Sequence, residues 1–286
     1  MTGISNQATR PEAGIWRGMN RAALDIAYDN TNAVTDSAAF LADWAERSQV
    51  LRNRLPELID RPYGPRGRNR LDIFRSGEEN APLFVFIHGG YWQRNSKEVF
   101  SCMAEGLLPH GIDVALPGYT LAPDAGLGEI VDEIHAAIRW LRREGPTFGI
   151  GRCRLVVSGW SAGGHLAANA LSLNEVDAAL PISGIFDLEP IRLGVLNSKL
   201  GLVSEDVARL SPILDPRTEC SDLVIAYGTD ELPELQRQSI DYAKTRRESG
   251  DLDLLLPVNG ANHFSILEEL RAANGVLANE VLKLAR

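Results

Sequence analysis

The chain has 286 residues, 44% of them hydrophobic and 23% charged, which is an ordinary balance for a globular protein with a sizeable core. Its formal net charge of −9 disfavours a nucleic-acid or anionic-membrane partner, and no stretch approaches the roughly 18 apolar residues of a membrane span. Cys102, Cys153 and Cys220 are odd in number, far apart and without Cys-x-x-Cys spacing, which argues against a disulfide framework or a zinc site. With a polar amino terminus lacking an apolar signal core, this usage points to the cytoplasm.

From the amino terminus, the spacing of apolar residues between Arg21 and Arg54 predicts two short amphipathic helices joined near Asp29 to Asp36, the second capped by Thr35 or Asp36. A turn-rich connector follows at Pro62, and the basic run Arg61 to Arg70, interleaved with Pro and Gly, reads as a solvated loop. Leu71 to Phe74 is a strand candidate. Leu83-Phe-Val-Phe-Ile87 is a continuous β-prone run of the kind found in a sheet covered on both faces. Lys97 to Pro109 reads as a helix, with Cys102 as a small buried hydrophobe, and Ile112 to Leu116 as a strand. Ile130, Val131, Ile134, Ile138 and Leu141 lie at helical spacing, with arginines in the last turn.

Cys153 to Ser158 predicts a strand and Ala162 to Leu173 a helix, with Gly159-Trp-Ser161-Ala-Gly163 between them. Beyond lie a strand at Ala178 to Ser183 and a helical excursion from Glu189 to Ser211. A strand at Leu223 to Tyr227, a helix at Glu234 to Glu248, a strand at Leu252 to Leu256 and a final helix at Ser265 to Lys283 complete the chain. Repeated strand-then-helix units imply one α/β domain over residues 1–286, with a mostly parallel central sheet and helices on both faces. Residues 1–60 and 186–211 read as a small helical cap over the site.

The chemistry should collect in loops at the carboxyl ends of the strands. Gly-x-Ser-x-Gly between a strand and a helix is a nucleophile elbow, which puts Ser161 at its apex. A serine hydroxyl is a poor nucleophile unless a base, itself oriented by a carboxylate, can take its proton. His263 follows the last strand and is the candidate base, while His88 more plausibly braces its loop. Asp230 and Glu231 both follow an earlier strand, and adjacent side chains of an extended segment point apart, so one of the two serves. Asp187 is a weaker third candidate. The backbone N–H groups of Gly90, Tyr91 and Ala162 are the candidate oxyanion donors. Trp92 and Trp160, with Tyr91, form an aromatic substrate wall or are packed core. No pair of histidines has metal-ligand spacing.

At His88-Gly-Gly-Tyr-Trp92, Gly159-Trp-Ser161-Ala-Gly-Gly-His165, Pro233-Glu-Leu-Gln-Arg-Gln-Ser239 and Asn262-His263-Phe264, the chain resembles the kynurenine formamidase (arylformamidase) group of α/β-hydrolases, relatives of the hormone-sensitive-lipase type esterases. Tyr28 to Asn30 and Arg70 to Phe74 extend the likeness over nearly the whole chain from about residue 20. The resemblance implies an α/β-hydrolase fold and a serine hydrolase without a cofactor that removes the formyl group of N-formyl-L-kynurenine. It implies Ser161 as nucleophile, His263 as base and Glu231 as the acid, where many relatives have Asp. Esterases and amidases of other small molecules share these motifs, so a short-acyl carboxylesterase is the alternative, and a non-catalytic binding protein on the same fold a more distant one. The partner implied is a small-molecule substrate, and a homodimer is compatible with the chain.

Overall fold

The computed structural model describes residues 14–215, 222–250, 252 and 254–286. Cys220 and the start of the chain before residue 14 lie outside the described residues. The strands are β1 (Arg61–Pro62), β2 (Arg70–Phe74), β3 (Leu83–Ile87), β4 (Asp113–Pro117), β5 (Leu155–Trp160), β6 (Ala178–Ile182), β7 (Asp222–Gly228) and β8 (Leu254–Val258). They form one sheet in the order β1-β2-β4-β3-β5-β6-β7-β8. β1 and β2 pair antiparallel, β2 pairs antiparallel with β4, and every pairing from β4 to β8 is parallel.

Alternation along the central strands divides two cores. Leu83, Val85 and Ile87 of β3 face one cluster, and Phe84 and Phe86 face the other, as a period of two residues requires. On the first face pack α5 (Leu127–Glu144), α6 (Ala162–Asn169) and α10 (Pro233–Ser249), through side chains such as Ile130, Leu166 and Leu235. The second face carries α3 (Ser37–Arg54), α4 (Lys97–Phe100), α11 (Glu268–Arg271) and α12 (Val276–Leu284), through Trp44, Phe100, Leu270 and Val281. Full burial of each such side chain stabilises by roughly 1.5–3 kcal/mol. Two helices, α1 (Arg21–Ala27) and α2 (Asn30–Ala33), precede α3. Three more, α7 (Glu189–Leu193), α8 (Asn197–Leu200) and α9 (Ser204–Leu210), form the excursion between β6 and β7.

Several elements differ from the sequence reading. Three helices rather than two occupy Arg21 to Arg54, because Asp29 caps a separate short turn by accepting the Asn32 N–H at 3.2 Å. The helix expected over Lys97 to Pro109 breaks after Phe100 into 3₁₀ turns at Ser101–Ala104 and Leu108–His110. Gly106 lies between them against the Leu270 carbonyl, where a Cβ would come within 2.3 Å. The last helix is interrupted at Ala272 to Gly275, where Val276 N–H turns to the Glu269 carboxylate at 2.8 Å. Cys153 is in a bend before β5 and half-buried, not in the strand. The strand expected from Leu252 begins at Leu254; residues 251 and 253 lie outside the described residues. The basic run is no free loop either: Arg68 donates to the Tyr119 and Asn95 carbonyls, both at 2.7 Å, and Arg61 and Arg70 lie in strands.

Candidate active site

Ser161 occupies the turn between β5 and α6, with φ 59° and ψ −116°. A non-glycine residue in that region costs about 1–3 kcal/mol and persists only when its surroundings fix it. They do so here: Ser161 N–H donates to the Ile182 carbonyl at 2.9 Å, and its carbonyl accepts the His165 N–H at 3.1 Å. Close packing holds the turn from beneath. A Cβ on Gly163 would lie 2.0 Å from the Ile87 carbonyl oxygen, so α6 can pass the end of β3 only with glycine there.

The loop after β3 is also strained. Gly90 has φ 121°, Tyr91 52° and Trp92 58°, and the Gly90 carbonyl accepts the N–H groups of Gln93 and Arg94 at 3.0 Å each. Among the described residues no hydrogen bond takes up the N–H groups of Gly90, Tyr91 or Ala162, which leaves them available to an oxyanion. His88 braces this loop. Its Nδ1 lies 2.9 Å from the Gly89 carbonyl oxygen, and its ring stacks on Tyr119 at 4.2 Å between centroids. Burial pushes its pKa down to about 4, so it is neutral at ordinary pH. Asn95 adds a hydrogen bond to the Gly89 carbonyl at 3.2 Å.

His263 follows β8 on a turn organised by Asn262, whose Oδ1 accepts the N–H groups of Phe264 and Ser265, both at 2.9 Å. Its Nδ1 lies 3.3 Å from Glu231 Oε2. The other Glu231 oxygen accepts the Gly228 N–H at 2.9 Å and a short hydrogen bond from the Ser183 hydroxyl. Asp230 points away: it is exposed, and among the described residues its carboxylate meets only the Thr229 hydroxyl, at 3.4 Å. Of the two carboxylates left open by the sequence, the buried one meets the imidazole. Asp187 is occupied elsewhere, accepting the Glu189 N–H at 3.1 Å and facing Arg237 at 3.7 Å.

Ser161 and His263 share a cavity of about 100 Å³ with Gly90, Tyr91, Trp160 and Phe264 among its walls. Trp160 is tied in by donating its Nε1–H to the His263 carbonyl at 2.7 Å. Trp92 takes the packed-core alternative and not the substrate wall: it is fully buried, is not among the walls of this cavity, and packs edge-on against His165 at 4.9 Å. His165 is likewise a core residue, with Nε2 2.8 Å from the Leu210 carbonyl oxygen and a pKa lowered by burial to about 4. Sequence reasoning missed Ser183, which anchors Glu231 and itself has φ 49°. Its only signal was a serine at the end of a buried strand, before Gly184.

A mostly parallel sheet with helices on both faces, and a serine on the sharp turn after its central strand, define the α/β-hydrolase fold. A family model described as BD-FAE matches residues 71–189. The kynurenine formamidase of Danio rerio is 28% identical over 94% of this chain and 98% of its own length. That of Salmo salar is 29% identical with the same coverage. A solved structure described as a thioesterase candidate from Silicibacter sp. tm1040 superposes with a TM-score of 0.81 at 28% identity, covering 90% of this chain and 97% of its own. The chain thus has the α/β-hydrolase fold and is similar over nearly its whole length to kynurenine formamidases. Among the described residues no helix is long and apolar enough to cross a membrane.

Proposed function

We propose that the chain hydrolyses a small aryl formamide, amide or ester through an acyl-Ser161 intermediate, with an N-formylkynurenine-like formamide as the leading substrate. The observation that carries this reading is His263, paired with Glu231 at 3.3 Å, on the wall of the same small cavity as Ser161. In the first step Ser161 Oγ attacks the carbonyl carbon while His263 Nε2 takes its proton. Glu231 holds Nδ1–H and stabilises the imidazolium that forms. The negative charge developing on the carbonyl oxygen is met by the N–H groups of Gly90, Tyr91 and Ala162, each such donor being worth about a hundred- to a thousandfold in rate. His263 returns the proton to the leaving nitrogen or oxygen as the bond to carbon breaks. Water, activated by the same imidazole, then releases the acid from Ser161. The N-terminal helices and residues 186–211 cap the leaving-group side in this reading.

A short-acyl carboxylesterase is the second reading. It is favoured by the likeness to the thioesterase candidate and by the small volume beside Ser161, which suits any short acyl group. Turnover of N-formyl-L-kynurenine and p-nitrophenyl acetate by the same preparation separates the two. The leading reading expects the formamide to have the higher kcat/KM; rapid ester cleavage beside negligible formamide turnover overturns it.

A further inference from the structure

Beside the cavity at Ser161 lies a second, of about 280 Å³, and the two share Asn30, Thr31, Tyr91 and Arg94 as walls. The remainder is largely apolar, built from α1 and the α7–α8 segment, with Leu24 and Ile191 contributing to it. Two acids also line it, and both are committed within the chain. Asp25 accepts the Val195 N–H at 2.6 Å and faces Arg21 at 3.5 Å. Asp29 accepts the Asn32 N–H at 3.2 Å and its side-chain amide at 2.6 Å.

Arg94 is different. Among the described residues it makes no ion pair, although the chain carries 38 acidic against 29 basic side chains. Its base is nevertheless held, by the N–H bond to Gly90 and by the guanidinium lying 6.0 Å from the centre of the Tyr91 ring. That ring is fixed in turn: Tyr91 donates its hydroxyl to the Tyr28 carbonyl at 2.6 Å and accepts from Asn30 at 2.8 Å. An exposed guanidinium uncommitted to a carboxylate among the described residues, at the boundary of an apolar cavity and a catalytic one, is free to receive a planar anion.

We propose that the second cavity takes the leaving-group side of the substrate, and that Arg94 is a specificity-determining residue that binds a carboxylate carried there on an apolar body. The assignment rests on Ser161 being the nucleophile, because that makes the shared wall the boundary between acyl and leaving groups. An exposed ion pair alone favours its ligand by about fivefold at most. Bidentate contact against an apolar wall raises the expectation to about tenfold.

Calorimetric titration of 3-aminophenylacetate and of 3-aminophenylacetamide into the native protein, Arg94→Met and Arg94→Lys tests it. The native protein should bind the acid about tenfold more tightly than the amide, Arg94→Met should lose that preference, and Arg94→Lys should keep part of it. Equal affinity of the native protein for both ligands, or equal weakening of both by Arg94→Met, overturns the assignment. Turnover of the two matching formamides is measured alongside. Acid preference without formamide turnover counts against the formamidase reading and leaves Arg94 standing; turnover without acid preference does the reverse.

Discussion

Glu231 divides its two oxygens between different tasks. Oε1 is spent on Gly228 N–H and the Ser183 hydroxyl, which fix the carboxylate, and Oε2 faces His263 Nδ1 at 3.3 Å. Asp230, one residue earlier, sends its side chain to the surface. Replacing Glu231 by Gln preserves shape but removes the charge that stabilises an imidazolium, so kcat should fall about a thousandfold. Asp230→Asn should leave kcat near the native value. Steady-state kinetics on the two variants check this, and the opposite ranking reassigns the acid. Nothing local in the sequence decided between them, since both follow the same strand. The resemblance picked Glu231, and the turn at Gly228 brings its oxygen back onto the strand end.

At the scale of elements, the contact between the start of α6 and the end of β3 sets the geometry of the elbow. Helix propensity alone would favour alanine over Gly163 by about 1 kcal/mol. Sterics outweigh it, because the added methyl would face two backbone carbonyls, Ile87 at 2.0 Å and His88 at 2.7 Å. Gly163→Ala should therefore destabilise the fold by about 3 kcal/mol, read as a lower denaturant midpoint at unchanged slope. An unchanged midpoint would show that the helix and strand are not so tightly apposed.

The elements that sequence reading located well are those whose pattern is local: the apolar run Leu83 to Ile87, the amphipathic α5, and the strand, glycine and serine order of the elbow. Those it missed depend on distant partners. The breaks near Gly106 and Gly275 answer to the Leu270 and Glu269 carbonyls, which lie far along the chain or across a turn that no spacing reveals.

Across the whole molecule, the parallel pairing of β3, β5, β6, β7 and β8 sends the chain ends that matter to one edge of the sheet. Loops following β3, β5, β7 and β8 carry Gly90, Ser161, Glu231 and His263, which stand far apart in sequence. Backbone strain gathers there too: Tyr91, Trp92, Asn95, Ser161 and Ser183 all have positive φ. The chain order of the candidate serine, acid and histidine was readable because this topology sets the order of the loops that carry them. Arg94 and the second cavity were not, since they arise where α1 and the excursion meet over the loop after β3.

The central claim, that Ser161 is the nucleophile, is tested most directly by reaction with a fluorophosphonate followed by peptide mapping. The native protein should carry a single adduct on Ser161, and Ser161→Ala should carry none. Absence of labelling in the folded native protein, or equal labelling of the variant, would contradict it.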